Sequence, residues 1–351
     1  SKDRPAAIGR SPVNRKAAAL VAGRGCFCDD IRLANPLHLA FLRSPAPAGR
    51  LMQLDLEDAA AAPGVVAVHA SADVAGLGRL AVNPVLAMEC TAAFPLLAAE
   101  RVEAVGQPVA AVLADTALRA LDACDLVFLD IDDAEEDGLP PASDVAERHW
   151  RSGDVAASFA RAAHVVECHI RHPRLAPSPM EPRAIAVAYD HDSGGVTIWQ
   201  STQTPHRSRS ALADILGVDP GLIRVIAPDV GGAFGMKASL YPEEVFAVWA
   251  ALHHRRDVKW TASRSEDFLA ATHGRGVESF GRLALDREGR FLALEAKVEA
   301  PLGQWLPNSA LIPAWNAARV LPGGYRVAEV DIETRAHAHN LAPTGIYRGA
   351  G

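Results

Sequence analysis

The stretch PDVGGAFGMK, Pro228–Lys237, sets three glycines around one phenylalanine and ends in a lysine. It follows the apolar run LIRVIAP (Leu222–Pro228), so a loop leaves a buried strand here. The glycines at 231, 232 and 235 do not fit G-x-G-x-x-G, and no G-K-[ST] follows, so neither standard nucleotide loop is matched. What remains is bare backbone, whose amides can approach a bulky anionic ligand while Phe234 projects from a turn. A plain glycine turn with an aromatic plug, or a non-standard nucleotide loop, stays open at this point.

Outward from the loop, strand and helix signals alternate. VTIWQSTQT (Val196–Thr204) reads as a strand. PHRSRSALADILG (Pro205–Gly217) reads as a helix opened by proline and closed by glycine. YPEEVFAVWAALHH (Tyr241–His254) is the best helix, with Pro242, Glu243 and Glu244 in its first turn. VKWTAS (Val258–Ser263) is a strand, and GRLALDREGRFLALEAKVEA (Gly281–Ala300) is two strands joined across Asp-Arg-Glu-Gly. ASRSEDF (Ala262–Phe268) reads as a solvated helix start capped by Ser265.

Nearer the N-terminus, GVVAVHA (Gly64–Ala70) and GQPVAAVLAD (Gly106–Asp115) are valine-rich strands. TALRALDACDLV (Thr116–Val127) is a helix capped by Thr116, with Ala117, Leu121 and Cys124 on one face. FLDIDD (Phe128–Asp133) alternates like a half-buried strand. The acidic, proline-bearing DDAEEDGLPPASD (Asp132–Asp144) is the candidate linker, dividing the chain into 1–145 and 146–351. Mixed elements of this sort predict an α+β fold.

The chain has 351 residues, 49% apolar and 22% charged, enough for about two domains. A net charge of −7 without a basic stripe argues against nucleic-acid binding, and no apolar run is long enough for a membrane helix. The basic N-terminus lacks an apolar segment followed by a cleavage site, so it does not read as a signal peptide; a cytoplasmic location is expected, with the periplasm left open. The five cysteines (26, 28, 90, 124, 168) lack zinc, redox or iron–sulfur spacing and read as reduced, mostly buried thiols. His253–His254 and the pair His337 and His339 read as ordinary histidines, because no ligand spacing accompanies them. There is no G-x-S-x-G elbow and no H-E-x-x-H.

Taken in order, GRGCFCDDI, FLRSPAPAGR, VGQPVAAVLAD, GDVAASFARAAHVVE, PMEPRAIA, STQT, GGAFGMK, VKWTASRSEDFLAATHGR and APTGIYRGAG resemble the molybdenum-binding large subunit of the xanthine dehydrogenase/aldehyde oxidase group, a family of molybdenum hydroxylases. The resemblance runs from about Gly9 to Gly351. It implies an α/β hammerhead domain over 1–145, then the first of two domains that sandwich a molybdenum–molybdopterin cofactor, the cytosine dinucleotide form among those open. It also implies that the second half, with most pterin contacts and the glutamate base, comes from a partner subunit or a longer chain. By the same resemblance Gln203 hydrogen-bonds an oxo ligand of the metal. Gly232, Ala233, Phe234 and Gly235 form the loop beside it, and Arg348, Gly349 and Ala350 form the opposite wall. Gln203, Phe234 and Arg348 are the catalytic candidates, with no metal-ligating side chain from this chain.

The implied reaction is oxidation of an aldehyde or N-heterocycle with water as oxygen source. Electrons would leave through a separate [2Fe-2S] subunit and often a FAD subunit, with no iron–sulfur or flavin site here. Departures from the family pattern narrow this. Ala233 replaces a glycine, Ala238 stands where purine-oxidising members carry glutamate, and Gly349–Ala350 replaces the Cys-Ser pair of the carbon monoxide-oxidising branch. The rival expectation is an inactive assembly module, or a cofactor-free fragment of the fold.

Overall fold

The computed structural model describes residues 8–78, 96–132 and 144–350; Cys90 and most of the candidate linker lie outside the described residues. The strands before the linker are β1 (Leu37–Arg43), β2 (Gly49–Asp55), β3 (Val65–His69), β4 (Arg101–Val102), β5 (Pro108–Ala114) and β6 (Phe128–Asp132). After it come β7 (Asp144–Ser152), β8 (His164–Arg171), β9 (Arg174–Leu175), β10 (Ala184–Tyr189), β11 (Val196–Gln200) and β12 (Ile223–Ile226). The chain continues with β13 (Val258–Thr261), β14 (Gly274–Arg275), β15 (Glu278–Leu285), β16 (Phe291–Pro301) and β17 (Glu329–His337).

A seven-stranded sheet runs β12-β11-β10-β13-β1-β5-β3, so it draws strands from both sides of residue 145. The join is the parallel pairing of Leu37 with Val258 and His38 with Lys259. β5 is buried along its whole length, as its unbroken apolar run requires of a central strand. The main core, with Leu39, Phe41, Ile185, Ile198, Phe246 and Trp260, likewise combines residues from both sides. A five-stranded sheet, β7-β17-β16-β15-β8, carries the helix Leu311–Val320, which links its parallel strands β16 and β17.

The helix Pro242–His254 is apolar nearly all round and is accordingly buried against β10 and β13. Its first-turn glutamates are buried too, 1% and 2% exposed, instead of facing water. Glu243 has a reason to be there. Its carboxylate meets Arg183 at 3.1 Å and Arg43 at 2.8 Å, and Arg183 also holds Asp267 at 2.8 Å. Burial works against the Arg183 charge, but Glu243 and Asp267 outweigh it and hold the guanidinium charged. The ring of Tyr241 lies under the same guanidinium, 4.3 Å away.

Two local expectations change. Thr116 caps its helix as the sequence suggests, but the buried face is Ala120, Ala123 and Cys124, with Leu121 turned to solvent. The helix Arg264–Ala270 is capped by Ser263, whose hydroxyl accepts from Glu266 N–H, not by Ser265. It is also less solvated than expected, because Asp267 turns inward to Arg183. Among the described cysteines, 28 and 124 are buried and 26 and 168 exposed. His254 ends its helix against His69, with a ring-nitrogen separation of 2.9 Å.

Arg183→Met should cost about 3–5 kcal/mol in a denaturant titration, because Asp267 would be left buried without a cation and Glu243 would keep Arg43 alone. Glu244 gives a pH signature. Burial raises its carboxyl from 4.5 to about 7. The folded chain therefore keeps a proton that the unfolded chain has released, and stability falls as pH rises through that interval. Glu244→Gln keeps an acceptor for the Tyr241 N–H. Its stability relative to the parent should rise between about pH 5 and about pH 8, read from unfolding midpoints at each pH.

Candidate functional site

β11 and β12 are parallel neighbours, with Trp199 opposite Ile226, so their carboxyl ends release two loops at one edge of the seven-stranded sheet. Loops at the carboxyl ends of parallel strands are where such sheets present ligands. The first is Ser201–Thr202–Gln203; the second is the glycine stretch. Two of the bonds between them hold Gln203: its N–H donates to the Lys237 carbonyl at 2.9 Å, and Gly235 N–H donates to its Oε1 at 3.0 Å.

That second bond fixes the amide. With Oε1 facing Gly235, the Nε2 group of Gln203 presents its two N–H donors away from the loop. Gly235 N–H is thus spent on Gln203. The loop turns by left-handed backbone at Gly232 (φ 101°), Phe234 (φ 52°) and Gly235 (φ 105°). For Phe234, which has a Cβ, this conformation costs about 1–2 kcal/mol. The residue is 47% exposed, so it holds this conformation at the surface of the loop. Ala233 has no such φ, and the turn accepts it in place of glycine.

The C-terminal segment forms the adjoining wall. Thr344 bridges to His273, and Arg348 N–H donates to the Phe234 carbonyl at 2.9 Å. A Cβ at Gly235 would overlap the Ile346 carbonyl oxygen, so this segment seats only against a glycine. The Arg348 side chain is exposed and makes no ion pair or hydrogen bond among the described residues. Gly349 is left-handed (φ 76°), and the Ala350 carbonyl accepts from Asn316 Nδ2 at 3.2 Å. Gly351 lies outside the described residues. The fold therefore brings together Gln203, Phe234, Gly235 and the Arg348 backbone, residues separated by up to 145 positions.

A cavity of about 720 Å³ borders the loop's other flank, lined by Lys16, Leu20, Phe27, Asp229 and Gly231. There Asp229 pairs with Lys16 at 2.7 Å and accepts the Cys26 N–H. A cavity of about 400 Å³ on the five-stranded sheet, lined by Glu167, His169, Phe280 and Lys297, contains none of the site residues. On that sheet Glu147, His149 and Glu333 converge at metal-ligand spacing, but Arg335 already binds Glu333 at 2.7 Å.

Residue-type reasoning did not single out Glu181, Ser201 and Lys237, which lie directly behind the loop. The available signal was a carboxylate between two prolines at the head of an apolar strand, and a lysine closing an apolar loop. Neither has local use for its charge.

Residues 139–351 match the model of a molybdopterin cofactor-binding domain, and residues 22–135 that of the aldehyde oxidase and xanthine dehydrogenase a/b hammerhead domain. The nicotine 6-hydroxylase large subunit of Paenarthrobacter nicotinovorans is 33% identical, over 98% of this chain and 44% of that one. The quinoline 2-oxidoreductase structure from Pseudomonas putida 86 superposes with a TM-score of 0.92 at 33% identity, over 99% of this chain and 46% of that one. The nicotinate dehydrogenase large molybdopterin subunit of Eubacterium barkeri is 25% identical, and 82% of its length is covered. The chain belongs to the aldehyde oxidase/xanthine dehydrogenase family of molybdopterin-binding oxidoreductases, with a hammerhead domain followed by a molybdopterin-binding domain. It spans less than half the length of the first two of these relatives.

The donor set fits that cofactor. An amide with outward N–H groups, an unpaired guanidinium and a glycine-lined loop together suit an oxygen-rich, anionic group. Gly235→Ala should unseat the C-terminal segment, costing about 1–3 kcal/mol and exposing residues 343–350 to limited proteolysis ahead of the rest.

Proposed function

We propose that this chain is the first half of the molybdopterin-binding large subunit of a molybdenum hydroxylase. A second molybdopterin-binding half, carried by a partner or by further chain, completes the site. The relatives named for nicotine and quinoline favour an N-heterocycle over an aldehyde as substrate. Water supplies the oxygen, and electrons leave through a [2Fe-2S] subunit and, where present, a FAD subunit. A cytoplasmic location goes with this reading, and no helix among the described residues is long and apolar enough to cross a membrane.

The observation that carries this reading is the Gln203 amide, locked by Gly235 so that only donors face outward, beside Phe234 and Arg348. When bound, the cofactor supplies the two-electron oxidation and the oxygen transfer. Gln203 would donate through Nε2 to an electron-rich oxygen of the cofactor, adding no charge to it. The exposed Phe234 ring would cover a flat substrate and keep water from its face. Arg348 would neutralise anionic oxygen on the neighbouring wall.

In the assembled complex, molybdenum content by mass spectrometry and ¹⁸O transfer from labelled water to product test the reading. Molybdenum absent from the complex would leave the inactive assembly module standing instead. Gln203→Glu keeps the bond from Gly235 but replaces the donor with a carboxylate. It should lower kcat by about 10²–10³ without loss of fold, measured by steady-state kinetics and circular dichroism.

A further inference from the structure

One carboxylate closes both ends of the glycine loop. Glu181 Oε2 accepts from Gly231 N–H at 2.7 Å, from the Ser201 hydroxyl at 2.6 Å and from Lys237 Nζ at 3.1 Å. Its other oxygen accepts from Cys28 N–H at 3.2 Å. Lys237 Nζ also donates to the Glu181 carbonyl at 2.7 Å and to Ser201 Oγ at 2.8 Å. The two side chains are 11% and 1% exposed. Burial pulls the Lys237 ammonium below the usual lysine range, and Glu181 opposes that pull.

The backbone of Lys237 does a second thing. Its carbonyl accepts Gln203 N–H at 2.9 Å and the Thr202 hydroxyl at 3.3 Å. The residue whose ammonium is tied to Gly231 through the Glu181 carboxylate thus also holds the residue whose amide the loop orients. An apolar pair of the same volume would serve stability as well or better. What it could not do is seat the Gly231, Cys28 and Ser201 donors at fixed positions around one point.

We propose that Glu181 and Lys237 are the positioning pair of this site: a buried ion pair that fixes the glycine loop and Gln203 against each other, so that the Gln203 donors meet the molybdopterin at a set angle. The proposal rests on the functional reading above. Neither residue touches the cofactor; both act through Gln203 and Gly235.

The test uses the assembled complex carrying Glu181→Gln, which keeps the shape of the side chain and removes its charge. Hydrogen–deuterium exchange is compared between residues 200–204 and 229–238 on one hand, and the helix Pro242–His254 and the five-stranded sheet on the other. The two loops should exchange at least about tenfold faster while the rest stays within about twofold. kcat should fall about 10–100-fold with KM little changed, and the molybdenum(V) paramagnetic resonance signal should broaden or shift.

If Glu181→Gln does not fold, Glu181→Leu combined with Lys237→Met leaves no buried charge unpaired and carries the same readouts. Unchanged loop exchange overturns the proposal. So does acceleration spread evenly over the chain, which would make the pair merely structural. Loosened loops with parental kcat and parental resonance signal also overturn it. A parent complex without molybdenum overturns the functional reading, and with it the assignment to a cofactor, while the exchange comparison still decides whether the lock exists.

Discussion

The structure depends on a guanidinium with no access to water. Arg183 is completely buried and lies among Glu243, Asp267 and the ring of Tyr241, and Glu243 passes the contact on to Arg43. These groups come from four separated segments, including β1 of the hammerhead region. Ion pairs of this kind add little net stability compared with apolar packing. Their effect lies in what they forbid: any arrangement that separates these segments strands a charge in the interior. The chain's two sequence regions therefore share one core, and the edge that carries the candidate site is set relative to both.

Two residues before Arg183, just ahead of β10, lies Glu181. The chain bends at both residues, around Pro182, so their side chains are free to diverge. Here one turns to the charge knot in the core, and the other to the back of the glycine loop. The MEPR tetrapeptide is thus the mechanical link between the fold and the site. Through it, the strained Phe234 and the neighbouring glycines are held by a network that reaches the helix Pro242–His254 and β1. Strain at the site persists because the surrounding bonds over-determine it.

Much of this was legible in the sequence where the cause is local. The Thr116 cap, the proline-opened helices and the two strands around Asp286–Gly289 follow from residue preferences over a few positions, and they fold so. Local reasoning failed where partners are distant. The Ser263 cap is the exception, a local Ser-x-x-Glu box with Glu266; the distant effect on that helix is the inward turn of Asp267 to Arg183. Ala120 and Ala123, not Ala117 and Leu121, face the sheet because small residues let the helix lie close to β1 and β5. The glycine loop itself showed that it was special, whereas its supports at 181 and 201 are 56 and 36 positions from Lys237 and carry no periodic mark. Nor could the spacing show that Gly235 N–H is taken by Gln203, since that depends on two loops meeting at a sheet edge.

The parallel pairing of Leu37 with Val258 has a consequence for synthesis of the chain. A strand emerging from the ribosome at position 37 has to wait until more than two hundred further residues are made before that neighbour exists. During elongation β1 can pair with β5, but its other edge stays open, with Leu37, Leu39 and Phe41 lacking the rest of their core. Long-range parallel pairing is slow, and open apolar edges associate with other chains. Protection of this nascent edge strand during translation therefore bears directly on the yield of folded chain.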